Sequence, residues 1–173
     1  MPDITALIMD DHDWLRRRFA ELDDARQPAQ RKAIWHALVD RLEAHARAEE
    51  CIVYPQLLKR ACIDGDEAER AIEIHERIRG AVAEAAANEV GSVAWNDAVQ
   101  RARVLHSRHL TLEEDGALPD FRKHAPYRLR TRLGSEWQRF HATRDLQRPA
   151  AARLDERNGA IRCPPGAAVP ASP

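Results

Sequence analysis

Two stretches of this chain are copies in everything but their filler: HARAEECIVYP at 45–55 and HLTLEEDGALP at 109–119. Each spells His, three residues, Glu-Glu, four residues, Pro. His45, Glu49, Glu50 and Pro55 recur 64 positions later as His109, Glu113, Glu114 and Pro119, and His12 recurs 63 positions later as His75. The flanking acids repeat too, Asp10 and Asp13 around His12 being matched by Glu73 and Glu76 around His75. A fold is required in which two aligned halves share one interior about a pseudo-two-fold axis.

Apolar residues recur at helical spacing throughout, and glycine is scarce before the tail, so the chain reads as all-α. A first helix is expected from the N-cap Asp3, with Ile4, Ile8, His12, Leu15, Phe19 and Leu22 on one face. A second begins after Pro28 and carries Leu38, Leu42, His45 and Glu49, with Pro55 set to kink or stop it. After the Asp64-Gly65-Asp66 turn a third runs through Ala68, Ile72, His75, Ile78, Val82 and Ala85 to a break at Gly91. Ser92 caps a fourth, with Trp95, Val99, Ala102, His106, His109 and Glu113 on its stripe. Short connections predict an antiparallel up-down-up-down four-helix bundle over 1–125. Pro126 opens a fifth, shorter amphipathic helix over 126–148, with Leu129, Leu133, Trp137 and Phe140 on one side, expected to pack outside the bundle. The Ala/Pro-rich stretch 149–173 reads as a flexible, disordered tail.

Each of the four bundle helices thus has a histidine interrupting its apolar stripe. Residues four apart on a helix share a face at about 6 Å, so His45 with Glu49 and His109 with Glu113 aim together into the bundle. With His12 and His75 this makes four imidazoles and two carboxylates, which the pseudo-two-fold divides as two imidazoles per metal with both carboxylates bridging. Buried carboxylates cost several kcal/mol each unless a cation compensates them. Mixed nitrogen and oxygen donors without thiolate suit iron or manganese, or zinc on affinity grounds, rather than calcium or magnesium.

The repeated H-x3-E-E-x4-P, with the preceding histidines, resembles the hemerythrin-like, histidine-histidine-glutamate cation-binding family over about residues 3–119. The resemblance implies a non-haem di-iron centre of the Fe–O–Fe type that meets dioxygen, nitric oxide or peroxide in sensing, storage or stress protection. It makes His12, His45, His75 and His109 terminal iron ligands and Glu49 and Glu113 the bridging carboxylates; zinc and manganese rank below iron. Arg79 stands where oxygen-carrying members place a further histidine, and Glu114 has the spacing of their aspartate. A di-iron peroxidase or nitric oxide reductase, an iron-donor repair protein and a metal-independent helical interaction module stay open beside a binding role.

Other residues take plainer readings. His106 falls one turn before His109 and is assigned to hydrogen bonding behind the ligands rather than to the ligand set. Glu50 and Glu114 point about 100° away from the bridging acids on an ideal helix and read as terminal ligands or, preferably, as surface charge. His36, His124 and His141 lack the repeat and read as surface residues, the four tryptophans as core, and Cys51 as a small buried hydrophobe ahead of a reactive thiol. Acids and bases nearly cancel, 28 against 27, so bulk charge recruits neither nucleic acid nor an anionic membrane. Three cysteines without metal spacing, and no signal segment or membrane span, suggest a cytoplasmic protein.

Overall fold

The Asp3 carboxylate accepts a hydrogen bond from the Thr5 amide at 3.0 Å and opens α1, Ile4–Asp24. The computed structural model describes residues 2–147; the expected tail over 149–173, with Cys163, lies outside them. Pro28 starts α2, Pro28–Ala48, in the first turn where its missing amide costs nothing. Asp64 and Glu67 form a reciprocal capping box at the head of α4, Gly65–Ala86. Gly91, at φ +89°, turns the chain, and Ser92 caps α5, Val93–Leu112. Among the described residues there are helices and no strand.

The repeated prolines do not stop their helices. After α2 the backbone widens into a π turn, Glu49–Val53, before α3, Tyr54–Lys59; after α5 a second π turn, Glu113–Ala117, precedes α6, Leu118–His124. The Tyr54 amide donates to the Glu49 carbonyl, and the Leu118 amide to that of Glu113, each spanning five residues. A proline has no amide to give and its ring collides with the carbonyl four residues back. Widening by one residue just ahead of Pro55 and Pro119 makes room for the ring, and such turns gather at functional sites. The chain therefore stays helical through Pro55, where a kink or stop was expected. At the far end of α3, Ala61 adopts a left-handed φ of 51° while the Cys62 amide donates to the Leu57 carbonyl at 3.0 Å, closing the helix as a Schellman motif.

Two apolar clusters form the interior. One gathers Leu15, Phe19, Trp35, Leu38, Ile78 and Trp95 with their neighbours; the other gathers Ile4, Ile8, Tyr54, Leu57, Phe121 and Trp137 with theirs. Along α1 the chain leaves the second cluster at Ile8, passes His12 and enters the first at Leu15. Along α2 it leaves the first at Leu42, passes His45 and reaches the second at Ala48. In α4, His75 lies between Ile72 and Ile78, and in α5 and its continuation, His109 lies between Ala102 and Leu118. One polar layer thus crosses the molecule between two dry ones.

The fifth long helix, α7 (Tyr127–Gln147), spans 21 residues, as long as α1 and α2, so the expectation of a shorter helix is corrected. It packs on α1 and α2 and buries Leu133 and Trp137 in the second cluster. Gly134 is needed there, because a Cβ would run into the Pro2 carbonyl, and Arg130 pairs with Asp3. No described helix is long and apolar enough to cross a membrane.

Candidate metal centre

The layer between the clusters consists of the six side chains singled out by the repeat. His12, His45, His75, His109, Glu49 and Glu113 are all buried, none more than 5% exposed. Glu49 is central. Its Oε1 lies 2.8 Å from His45 Nε2 and 4.0 Å from His12 Nε2, while its Oε2 lies 3.3 Å from His75 Nε2 and 3.4 Å from His109 Nε2. Glu113 spans the same gap, Oε2 at 3.4 Å from His12 Nε2 and Oε1 at 3.6 Å from His109 Nε2. Two donor groups result, His12–His45–Glu49–Glu113 and Glu49–His75–His109, the donor atoms within each lying within 4.8 Å of one another. The two π turns begin at these glutamates, so the widened backbone sits where the carboxylates enter the interior.

The donor atoms of the first group are orphans. His12 Nε2, His45 Nε2, Glu49 Oε1 and Glu113 Oε2 are each buried without a hydrogen-bond partner, although His45 Nε2 and Glu49 Oε1 stand only 2.8 Å apart. Buried polar groups are normally satisfied, and leaving one unpaired costs roughly 1–3 kcal/mol. Four such atoms converging on one point fit a cation that accepts lone pairs from all of them, and nitrogen and carboxylate donors without sulfur fit iron, manganese or zinc.

The opposite ring nitrogens face outward to carboxylates. Glu114 Oε1 lies 2.7 Å from His12 Nδ1 and Glu50 Oε1 lies 2.8 Å from His75 Nδ1, while Asp11 Oδ2 is 3.4 Å from His45 Nδ1. An ionised carboxylate can only accept, so Nδ1 carries a proton, and Nε2 faces the interior, where it offers a lone pair once its own proton leaves. Arginines back these acids: Arg16 reaches Glu114 at 2.7 Å, Arg79 reaches Glu50 at 3.0 Å, and Arg41 pairs with Asp11. Arg16 and Arg79 each follow the histidine they serve by four residues, so this outer layer is duplicated as well. The expectation that Glu50 and Glu114 are surface charge or terminal ligands is corrected: each orients a histidine from the other half of the chain. The repeat of Arg16 at Arg79 is the sequence signal that could have revealed it.

The charges couple strongly. Burial disfavours the cationic imidazoles, yet Glu113 and Glu49 push His12 up to about 9, Glu49 and Asp11 push His45 up to about 10, and Glu49 and Glu50 push His75 up to about 9. Glu49 is itself held well below the usual carboxylate range, its burial outweighed by His45, His109 and His12.

The two halves differ in their surroundings. Tyr54 donates from its hydroxyl to Glu113 Oε1 at 3.2 Å and stands 3.5 Å from His75 Nε2; Leu118 occupies the equivalent place in the other half. Burial and the charges of Glu49 and Glu113 drive its pKa well above 10, so it stays a phenol. His106 is buried at 3% exposure with Nε2 unpartnered, where hydrogen bonding was expected; burial and the neighbouring imidazoles hold it well below its ordinary value. His141, expected at the surface, is buried, with Nε2 at 3.6 Å from Asp11 Oδ2. Trp137 stands edge-on to His45 at 5.5 Å, so α7 walls the His12–His45 side. His36 and His124 are exposed, as expected, and Cys51 is buried.

A family model described as the hemerythrin HHE cation-binding domain matches residues 3–121. No curated protein and no solved structure matches the chain significantly.

Proposed function

The chain belongs to the hemerythrin HHE cation-binding domain family, and on that premise we propose that its buried cluster holds two iron ions and offers them to dioxygen, nitric oxide or peroxide. The observation that carries this is the convergence of four buried donor atoms from His12, His45, Glu49 and Glu113, none with a hydrogen bond of its own and each facing the others, joined through Glu49 to a second group with His75 and His109. In this reading the four histidines are terminal ligands and the two glutamates bridge, within an up-down-up-down bundle. Two bound irons would supply reversible coordination or redox chemistry toward a small oxygen- or nitrogen-centred ligand.

The protein's own contribution is control of that chemistry. Glu50, Glu114 and Asp11 fix the histidine tautomers and ring angles. Tyr54 keeps its phenolic proton and donates it toward Glu113 Oε1, holding that carboxylate across the gap. The apolar clusters on both sides keep bulk water out and favour small uncharged ligands over ions.

Elemental analysis of the aerobically purified protein, with an optical spectrum before and after exposure to oxygen, nitric oxide and peroxide, tests this. About two irons per chain and a near-ultraviolet band that responds to one of these ligands are expected. Zinc in place of iron, or a spectrum indifferent to all three, would reject it. Steady catalytic consumption of peroxide or nitric oxide, as opposed to one equivalent per site, would mark an enzyme.

A further inference from the structure

Beyond the buried cluster, the two helices that continue past the π turns bring together a second and different donor set. Cys62 follows α3, held at its Schellman closure; Asp120 and His124 lie four apart on one face of α6. One donor atom from each, a sulfur, a carboxylate oxygen and an imidazole nitrogen, lies within 4.8 Å of the other two. His124 Nδ1 is 3.2 Å from Asp120 Oδ1 and 3.1 Å from the Asp120 carbonyl. The Cys62 thiol is half-buried against the apolar cluster around Phe121 and meets the Arg60 carbonyl at 3.9 Å and the Asp120 carboxylate; its burial and the Asp120 charge disfavour a bare thiolate, against the weaker pull of Arg60.

We propose that Cys62, Asp120 and His124 form a peripheral site for a divalent cation of the zinc class, separate from the buried centre. The donor chemistry sorts the two sites. The interior layer has imidazole and carboxylate and no sulfur, whereas thiolate with imidazole and carboxylate is a set that zinc takes in tetrahedral geometry, three protein donors leaving one position for water. Asp120 and His124 are part exposed, 42% and 49% at the side chain, which leaves that position open to solvent. A cation there removes the repulsion between thiolate and carboxylate. It also ties the end of α3 to α6, the two segments that extend directly from Glu49 and Glu113.

The full chain, iron-loaded so that its buried donors are engaged, is titrated with cobalt(II) as the spectroscopic substitute for zinc, and with zinc in competition. A thiolate-to-cobalt charge-transfer band is expected, saturating at one equivalent and discharged by zinc. It should vanish in Cys62→Ser and need about tenfold or more cobalt in Asp120→Asn and in His124→Ala, with the circular dichroism of all three unchanged. No band in the wild type, a band that survives Cys62→Ser, or one indifferent to both Asp120→Asn and His124→Ala would each overturn the site, the last by reducing it to a single thiol.

Discussion

Glu114 lies 2.7 Å from the Nδ1 of His12, a residue 102 positions away in the chain, and so reaches from the end of one half to set a ring in the other. Glu50 does the same for His75. Removing either carboxylate, Glu114→Ala or Glu50→Ala, should weaken metal binding about 10–100-fold by freeing the ring and its tautomer. Competition against a chromophoric chelator measures this. Arg16→Ala should cost far less, since the arginine is 43% exposed at the side chain and such pairs contribute about 0–1 kcal/mol.

Because each oxygen of Glu49 serves a different histidine pair, its loss should strike both metal positions at once. Glu49→Gln is expected to purify with only a small fraction of the wild-type metal, while His75→Ala keeps about one ion per chain, at the His12–His45 end. Metal analysis after gel filtration decides. Equal, partial loss in the two variants would contradict the bridging role.

The pH response should invert between metal-free and metal-loaded protein. His12, His45 and His75 have folded-state pKa values of about 9, 10 and 9 against an ordinary 6.5. Their protonated forms therefore stabilise the metal-free fold fully below about pH 6.5, and that contribution is lost as pH climbs through 9 to 10. Thermal melts of chelated protein should fall by about 5 °C or more over this window. Metal must displace the Nε2 protons, so its affinity should rise over the same interval. A chelated protein whose melting point rose with pH would contradict the assignment. On the acid side, Glu49 and Glu50, both held low, should support the fold above about pH 4.5 and cease to do so as pH falls through their lowered values.

The wall formed by α7 can be tested without touching a donor. Trp137 is 2% exposed and meets His45 edge-on; Trp137→Ala should destabilise by about 3–5 kcal/mol through the cavity it leaves. Gly134→Ala forces a side chain onto the Pro2 carbonyl and should cost about 1–3 kcal/mol. Urea unfolding at constant m-value reports both. A Gly134→Ala variant as stable as wild type would mean that the N-terminus does not sit against α7 in solution.

The four histidines and the acids Glu49 and Glu113 were legible because each violates an apolar stripe, and a polar residue on a buried face demands a partner. Asp3, Pro28 and Ser92 announced their helices through local chemistry that needs no tertiary information. What escaped has a common cause. Glu50 and Glu114 do not point inward along their own helices; their role exists only because His75 and His12 pass alongside. His141 belongs to α7, whose apolar stripe was legible but whose exact seat on α1, with Gly134 against Pro2, is set by shape and not by hydrophobic period. The π turns were also hidden, since the sequence shows only a proline in a helix and not how the backbone will make room for it.

The division of the cluster between two halves has a practical consequence. Neither half owns more than two of the imidazoles and one of the buried glutamates, so no partly unfolded intermediate that separates them retains the full donor set. Any colour arising from the assembled pair of ions would then disappear in step with the whole tertiary structure, giving this chain a built-in optical gauge of its own integrity.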